Sequence, residues 1–257
     1  WIKAGFKKIN FEASSTSEEN IQLGAAVSTK IEVTIEKVDQ LFENTEIPVE
    51  IGLLLHSGTF EYIPVGIFTA EHPEWEDNNI KFTAYDRMIK TTKVFISSLT
   101  YPASAADVLE EACGICGIPC DTQGLESITV KTKPEGYTCR EVIGYVASLY
   151  GGFACVDREG VLRIKWYEDS GYSVDASRMF SFTKNESDYH IDYLTCNVDN
   201  SASITSGSGT LGITFSNPFM EQEQLDKIYS ATKDFKYRAA AVSFLGDPRL
   251  DVWDIIT

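Results

Sequence analysis

Over the first hundred residues, apolar and polar positions alternate in short runs. Ile31, Val33 and Ile35 interleave with Glu32, Thr34 and Glu36, which predicts a strand with one buried face. Val49 to Leu55 and Tyr62 to Thr69 predict two more strands, joined by a turn around Ser57-Gly58. Ile80 to Tyr85 alternates again after Asp77-Asn78-Asn79, and Asn and Asp predict a turn because they tolerate positive φ or cap the backbone. Short strands at this interval point to a barrel or a sandwich.

From about Thr100 the spacing turns helical. Ser104 is placed to cap a helix through Val108, Leu109, Ala112 and Ile115 that stops at Gly117, with Pro119 beyond. Thr138 with Glu141 three residues later is a capping box, and Val142, Ile143, Val146 and Leu149 form one apolar face before Gly151-Gly152. A hairpin follows, Phe153 to Val156 and Val161 to Trp166, around Asp157-Arg158-Glu159-Gly160. Two helices beside a small sheet make an α+β unit. Alternation then returns in Tyr189 to Val198 and in Leu211, Ile213 and Phe215; Asn217-Pro218 breaks the strand before a helix with Leu225, Ile228 and Tyr229. The last pattern predicts a hairpin between Ala240–Phe244 and Leu250–Val252 through Gly246-Asp247-Pro248.

The expected class is therefore mainly β with an α+β insert. Residues 1–99 would form a first β-barrel, 100–170 the helix-helix-hairpin insert, and 171–257 a second barrel of similar type with a late helix. The abrupt start at Trp1 and the stop at Thr257 inside an apolar run suggest a piece of a longer protein, truncated at its C-terminus.

Charge narrows the function. With 38 acids against 22 bases the formal charge is −16, which disfavours an ordinary nucleic-acid binder, because such proteins set Lys and Arg against phosphates. No run approaches the roughly 18 apolar residues of a membrane span, and the start does not read as a signal peptide. Cys113, Cys116, Cys120, Cys139, Cys155 and Cys196 read as free, mostly buried thiols. The Cys113-x-x-Cys116 spacing closes a helix rather than opening one, and no second pair or nearby His completes a zinc set. His56, His72 and His190 are far apart in sequence.

The densest group of potential ligands is Glu71-His72-Pro73-Glu74-Trp75-Glu76-Asp77, read as a solvated loop between strands. Glu110-Glu111 reads as solubilising charge on a helix, and the glycine-rich 207–212 run as a hairpin loop, since it precedes a strand and lacks the helix N-terminus a phosphate site uses. Nucleophile-elbow, zincin, Walker and dinucleotide signatures are absent. No catalytic, cofactor or metal residue is assigned, and no cofactor is expected.

Five stretches in order resemble the tail-hub (tail-associated, baseplate-hub-like) proteins of siphophages and prophages. They are Ile63-Pro-Val-Gly-Ile-Phe68 with Trp75 and Phe82-Thr-Ala-Tyr-Asp86-Arg-Met88; Ala106 to Ile118; Thr138 to Ile143 with Gly151-Gly-Phe-Ala154 and Asp157 to Leu162; Asn217-Pro-Phe219; and Gly246-Asp-Pro248 with Asp254-Ile255. Trp253 departs from the Gly the family would place before Asp254. The resemblance implies a non-enzymatic homotrimer at the virion tail tip, made in the bacterial cytoplasm. Its two barrels per subunit would form a pseudo-sixfold ring touching distal tail, tail-tube and tape-measure proteins. Specific nucleic-acid binding and membrane contact are not expected, although DNA would pass through the ring. The alternative readings are a cell-wall-degrading or carbohydrate-binding module of a tail tip.

Overall fold

The structure, a computed structural model, describes residues 6–17, 20–39 and 43–257. Strand accounts for 41% and helix for 17%, so the chain is mainly β.

The alternating N-terminal runs form β1 (Phe6–Glu12), β2 (Lys30–Glu36), β3 (Glu46–Leu54), β4 (Phe60–Glu76) and β5 (Asn79–Tyr85). They pair antiparallel in the order β1-β2-β5-β4-β3 and curl into a half-barrel. Ile31, Val33, Ile35, Phe68, Ala70, Ile80, Phe82 and Ala84 line its buried face, as period-two alternation requires. One expectation fails here. Glu71 to Glu76 is not a loop but the end of the 17-residue β4, bulged between Glu71 and Glu74 where His72 takes φ 40°. The cross-strand partners Thr83 and Lys81 supply a ladder that the acidic composition conceals.

The helical unit follows its caps. α1 (Ala105–Cys116) starts with the Ser104 hydroxyl accepting from the Ala106 amide. It ends at Gly117 in the left-handed region, where the Ile118 amide reaches back to the Cys113 carbonyl. α2 (Cys139–Leu149) carries the predicted reciprocal box, Thr138 N donating to Glu141 and Glu141 N donating to the Thr138 hydroxyl. Two-residue strands β6 (Ala103–Ser104) and β7 (Thr129–Val130) pair beside α1, and the hairpin β8 (Phe153–Val156)–β9 (Leu162–Lys165) stands at the predicted place.

Residues 20–29 dock onto this unit. The Gly24 amide donates to Gly152 O and the Ala154 amide to Ala25 O. Gly24, at φ 77°, lies so close to α2 that a Cβ would fall 2.7 Å from Gly144 O, and one on Gly144 would fall 2.5 Å from Gly24 O. Two glycines make this backbone-to-backbone approach possible.

The rest of the chain contributes β10 (Glu168–Tyr172), β11 (Met179–Lys184), β12 (Tyr189–His190), β13 (Tyr193–Asn197), β14 (Ser203–Gly207), β15 (Gly212–Ser216), α3 (Gln222–Thr232), β16 (Lys236–Tyr237), β17 (Ala240–Phe244) and β18 (Asp254–Ile256). β13 is flanked by β14 antiparallel and β15 parallel, so the 207–212 run is a passage over the end of β13 and not a hairpin loop. The Asp192 carboxylate accepts from the Thr210 and Leu211 amides, and a Cβ on Gly207, Gly209 or Gly212 would come within 2.5 Å of Asp192 or Tyr193. The glycines thus serve a tight crossing. Ile213 and Phe215 are buried as predicted, and join Leu194, Leu225 and Ile228 in the same core as α1 and α2.

The final hairpin is also corrected. Ala240–Phe244 is a strand, but it pairs with β11, while β18 runs parallel to β10. The turn through Asp247 forms, with Leu250 N donating to its carbonyl, yet residues 250–252 are not a strand.

Candidate assembly interface

The helical unit buries its apolar residues and the β3–β4 hairpin does not. At its base, Ile47 and Val49 pack on the half-barrel core. Beyond them the two strands run on for about five residues each, roughly 17 Å, as a two-stranded ribbon. Leu54 faces Phe60 and Gly52 faces Tyr62 across the ladder, so these form one side; Ile51 pairs with Ile63 on the other, near Leu53. Phe60 and Tyr62 stack with ring centroids 6.0 Å apart, and Gly52 leaves room for the Tyr62 ring. Leu54 is 62% exposed, Tyr62 60% and Phe60 57%. An isolated two-stranded ribbon is marginal in water, and one that is apolar on both sides has the surface of a contact region.

The base of this arm is fixed by two arginines from outside it. Arg87, in the 3₁₀ turn Arg87–Thr92, forks onto Glu46 at 2.9 and 3.0 Å and donates to Gly160 O. Lys90 joins the same carboxylate, and the two cations hold Glu46 down to a pKa of about 2. Arg158, in the β8–β9 turn, donates to Asp251 and to the carbonyls of Pro64, Pro248 and Leu250. Between the turn and α2 lies Asp86, whose carboxylate accepts from the Thr29 and Met88 amides while burial pushes its pKa up to about 6. Arg140 reaches Met88 O, Thr91 and Ser28 beside it.

Other apolar side chains face solvent elsewhere. The half-barrel is open at β1, where Ile9 and Phe11 lie half exposed on its inner side. The β11–β17 ribbon presents Phe180 and Phe182, with Leu245 after it.

The sequence-level candidates for chemistry are dispersed. Among the described residues no group of three or more His, Cys, Asp or Glu is arranged to hold a metal ion. His72 lies 3.8 Å from Glu43 at the β4 bulge and His190 lies 3.0 Å from Asp192, on different elements. Glu110 accepts from Thr122, and Glu111 does more than solubilise: it accepts from Ser97 and from the amide and hydroxyl of Ser98. Trp75 and Trp253 each carry a lysine ammonium over the ring, at 5.3 and 5.2 Å, and Trp1 lies outside the described residues. An open depression of about 630 Å³ beside Tyr137, Tyr145 and Pro218 includes Asp199, whose carboxylate is engaged by Ser201 and Ala202.

Sequence reasoning missed the arginine joints and the apolar arm. The arm had a signal, Leu53-Leu54-Leu55 without alternation beside Phe60 and Tyr62, because two faces that are both apolar break the one-sided pattern.

No protein-family model matches the sequence, and no curated protein does. Solved structures do. A tail protein from Neisseria meningitidis MC58 superposes with a TM-score of 0.56 at 7% identity, over 87% of this chain and 70% of that one. The 43 kDa tail protein of prophage MuSo2 from Shewanella oneidensis gives a TM-score of 0.48 at 12% identity, over 91% and 79%. The chain thus has the overall fold of the Neisseria protein.

Proposed function

We propose that this chain is a structural, non-enzymatic component of a phage-type tail, the ring-forming part of a hub that joins the tail tube or distal tail ring to the tip. The observation that carries the reading is the fold shared with the Neisseria tail protein over most of both chains. Exposed apolar surface supports it: the β3–β4 arm, the open side at β1 and the β11–β17 ribbon expose large apolar side chains in places where a neighbouring subunit would cover them.

In this reading the half-barrel and the later ribbons are two barrel-type units flanking the helical one, with boundaries near residues 99 and 170. Three copies would set six such units around a channel, and so mate sixfold to threefold symmetry. A charge of −16 suits a conduit through which DNA slides without sticking. The partners are further copies of the chain and the distal tail, tube and tape-measure proteins. The place of action is the virion tail tip.

The test is light scattering of the protein, alone and with co-expressed tail neighbours. A trimer is expected; a monomer that persists beside those neighbours overturns the proposal. A gel shift at micromolar protein and physiological salt is expected to show no DNA binding.

A further inference from the structure

The open depression of about 630 Å³ lies where α2 meets the three-stranded sheet β14-β13-β15. Small-molecule sites commonly span about 300–1,000 Å³. From the helical side, Tyr137 and Tyr145 line it. Their ring centroids are 5.1 Å apart with the planes at 83°, and both rings meet Phe219 edge to face, at 6.2 and 5.7 Å. The two tyrosines therefore offer walls in two directions.

Three strand ends line the depression from the sheet side. Asn197, the last residue of β13, pairs with Ser203 of β14 and with Ser216 of β15. Cross-strand partners point to the same face. Ser203, Asn197 and Ser216 thus make a row of exposed polar side chains, on the face opposite to the buried Cys196 and Phe215. Strands about 4.8 Å apart set the spacing of the row, which is comparable to the reach between alternate hydroxyls of a hexose ring. Asn200 joins it from the β13–β14 turn. Among the described residues these four side chains hydrogen-bond to nothing within the chain, so their amides and hydroxyls are open to a ligand.

Asn217 makes the frame rigid. Wholly buried, it donates from its side-chain amide to Tyr145 O and to the Ser148 hydroxyl, at 2.9 and 2.8 Å, and accepts from the Phe219 amide. Its backbone amide donates to Asn197 O. One residue thereby ties the tyrosine walls to the polar row, and a site fixed in advance loses little freedom on binding. Charge then narrows the ligand. No Lys, Arg or His lines the depression, and the one carboxylate, on Asp199, has an oxygen held by the Ser201 and Ala202 amides. An anion would find no cation there and would face a chain of net charge −16. Amides and hydroxyls beside aromatic rings suit an uncharged polyol.

We infer that this depression binds a short neutral oligosaccharide. One sugar ring lies against Tyr145 with Tyr137 closing its side, and its hydroxyls exchange hydrogen bonds with Asn197, Asn200, Ser203 and Ser216. The site is complete within one chain, so this binding does not depend on the assembly proposed above.

Saturation-transfer NMR of the folded chain tests it, with maltotriose, cellotriose and tri-N-acetylchitotriose as probes and trigalacturonate and choline as charged controls. Signal from at least one neutral trisaccharide is expected, and none from either control. Asn197→Ala with Asn200→Ala removes two exposed side chains that support nothing in the fold, and should weaken that binding by about tenfold or more. Tyr145→Ala should do the same while Tyr145→Phe stays within about threefold of the wild type, because the ring rather than the hydroxyl carries the contact. Near-ultraviolet circular dichroism checks the native packing of each variant. Silence from all three neutral probes, binding of a charged control, or neutral-sugar binding that the asparagine double variant leaves unchanged overturns the inference.

Discussion

The α1–α2 pair and the β3–β4 arm both draw on Leu, Ile and Val, and meet opposite fates. Val108, Leu109, Val142 and Ile143 are wholly buried, whereas Leu53, Leu54, Phe60 and Tyr62 stand in solvent. The difference lies in how many sides each element covers. A helix with one apolar stripe satisfies it against one neighbour, and the two caps release the chain at the right place. A ribbon of two strands has two faces and no third layer, so apolar residues on both leave surface that only another molecule can bury. A core and a contact region therefore draw on the same alphabet and are told apart by layering.

The buried pair of helices should respond most to substitution. Leu109→Ala opens a cavity between α1 and α2 and is expected to cost about 3 kcal/mol of stability, read by denaturant unfolding; a loss as small as that of a surface change would mean the core repacks freely. Arg140→Ala strips the Met88 carbonyl, Thr91 and Ser28 of their donor and leaves Asp86 without a nearby cation, with an expected cost of about 2 kcal/mol.

Two carboxylates then give opposite pH slopes. Asp86, raised by burial, holds its proton more tightly when folded than when unfolded. Its contribution is full below 3.8 and is lost as pH rises through about 6. Glu46, lowered by Arg87 and Lys90, contributes above 4.5 and loses that contribution as pH falls through about 2. Unfolding measured across pH 2 to 7 should show Asp86→Asn removing the first slope and Glu46→Gln the second; unchanged slopes would refute the assignments.

The smallest stability effect belongs to the arm. Leu54→Ser with Phe60→Ser should shift stability by less than about 0.5 kcal/mol per site, and is expected to abolish the self-association proposed above, read by light scattering. A large loss of stability would show that the arm belongs to the core after all.

What the sequence disclosed follows the range of each signal. Ser104, Gly117, Thr138 with Glu141, and the Asp157–Gly160 turn act within a few residues, and each stands where it was predicted. The partner of Ala240–Phe244 is set by which strand edge lies nearby in space, and Gly246-Asp247-Pro248 pointed to the wrong neighbour. The arginines at 87, 140 and 158 bond residues 41 to 112 positions away, a distance at which charge patterning along the chain carries no information. The glycines at 207–212 were visible, but the Asp192 beneath them was not.

Arg158 has a mechanical consequence. Its guanidinium touches Pro64, at the root of the arm, and also Pro248, Leu250 and Asp251 near the C-terminal strand. That one planar group thus joins the root of the arm, the β8–β9 turn and residues 248–251. Loss of this single side chain would therefore release the root of the arm and residues 248–251 from the β8–β9 turn together.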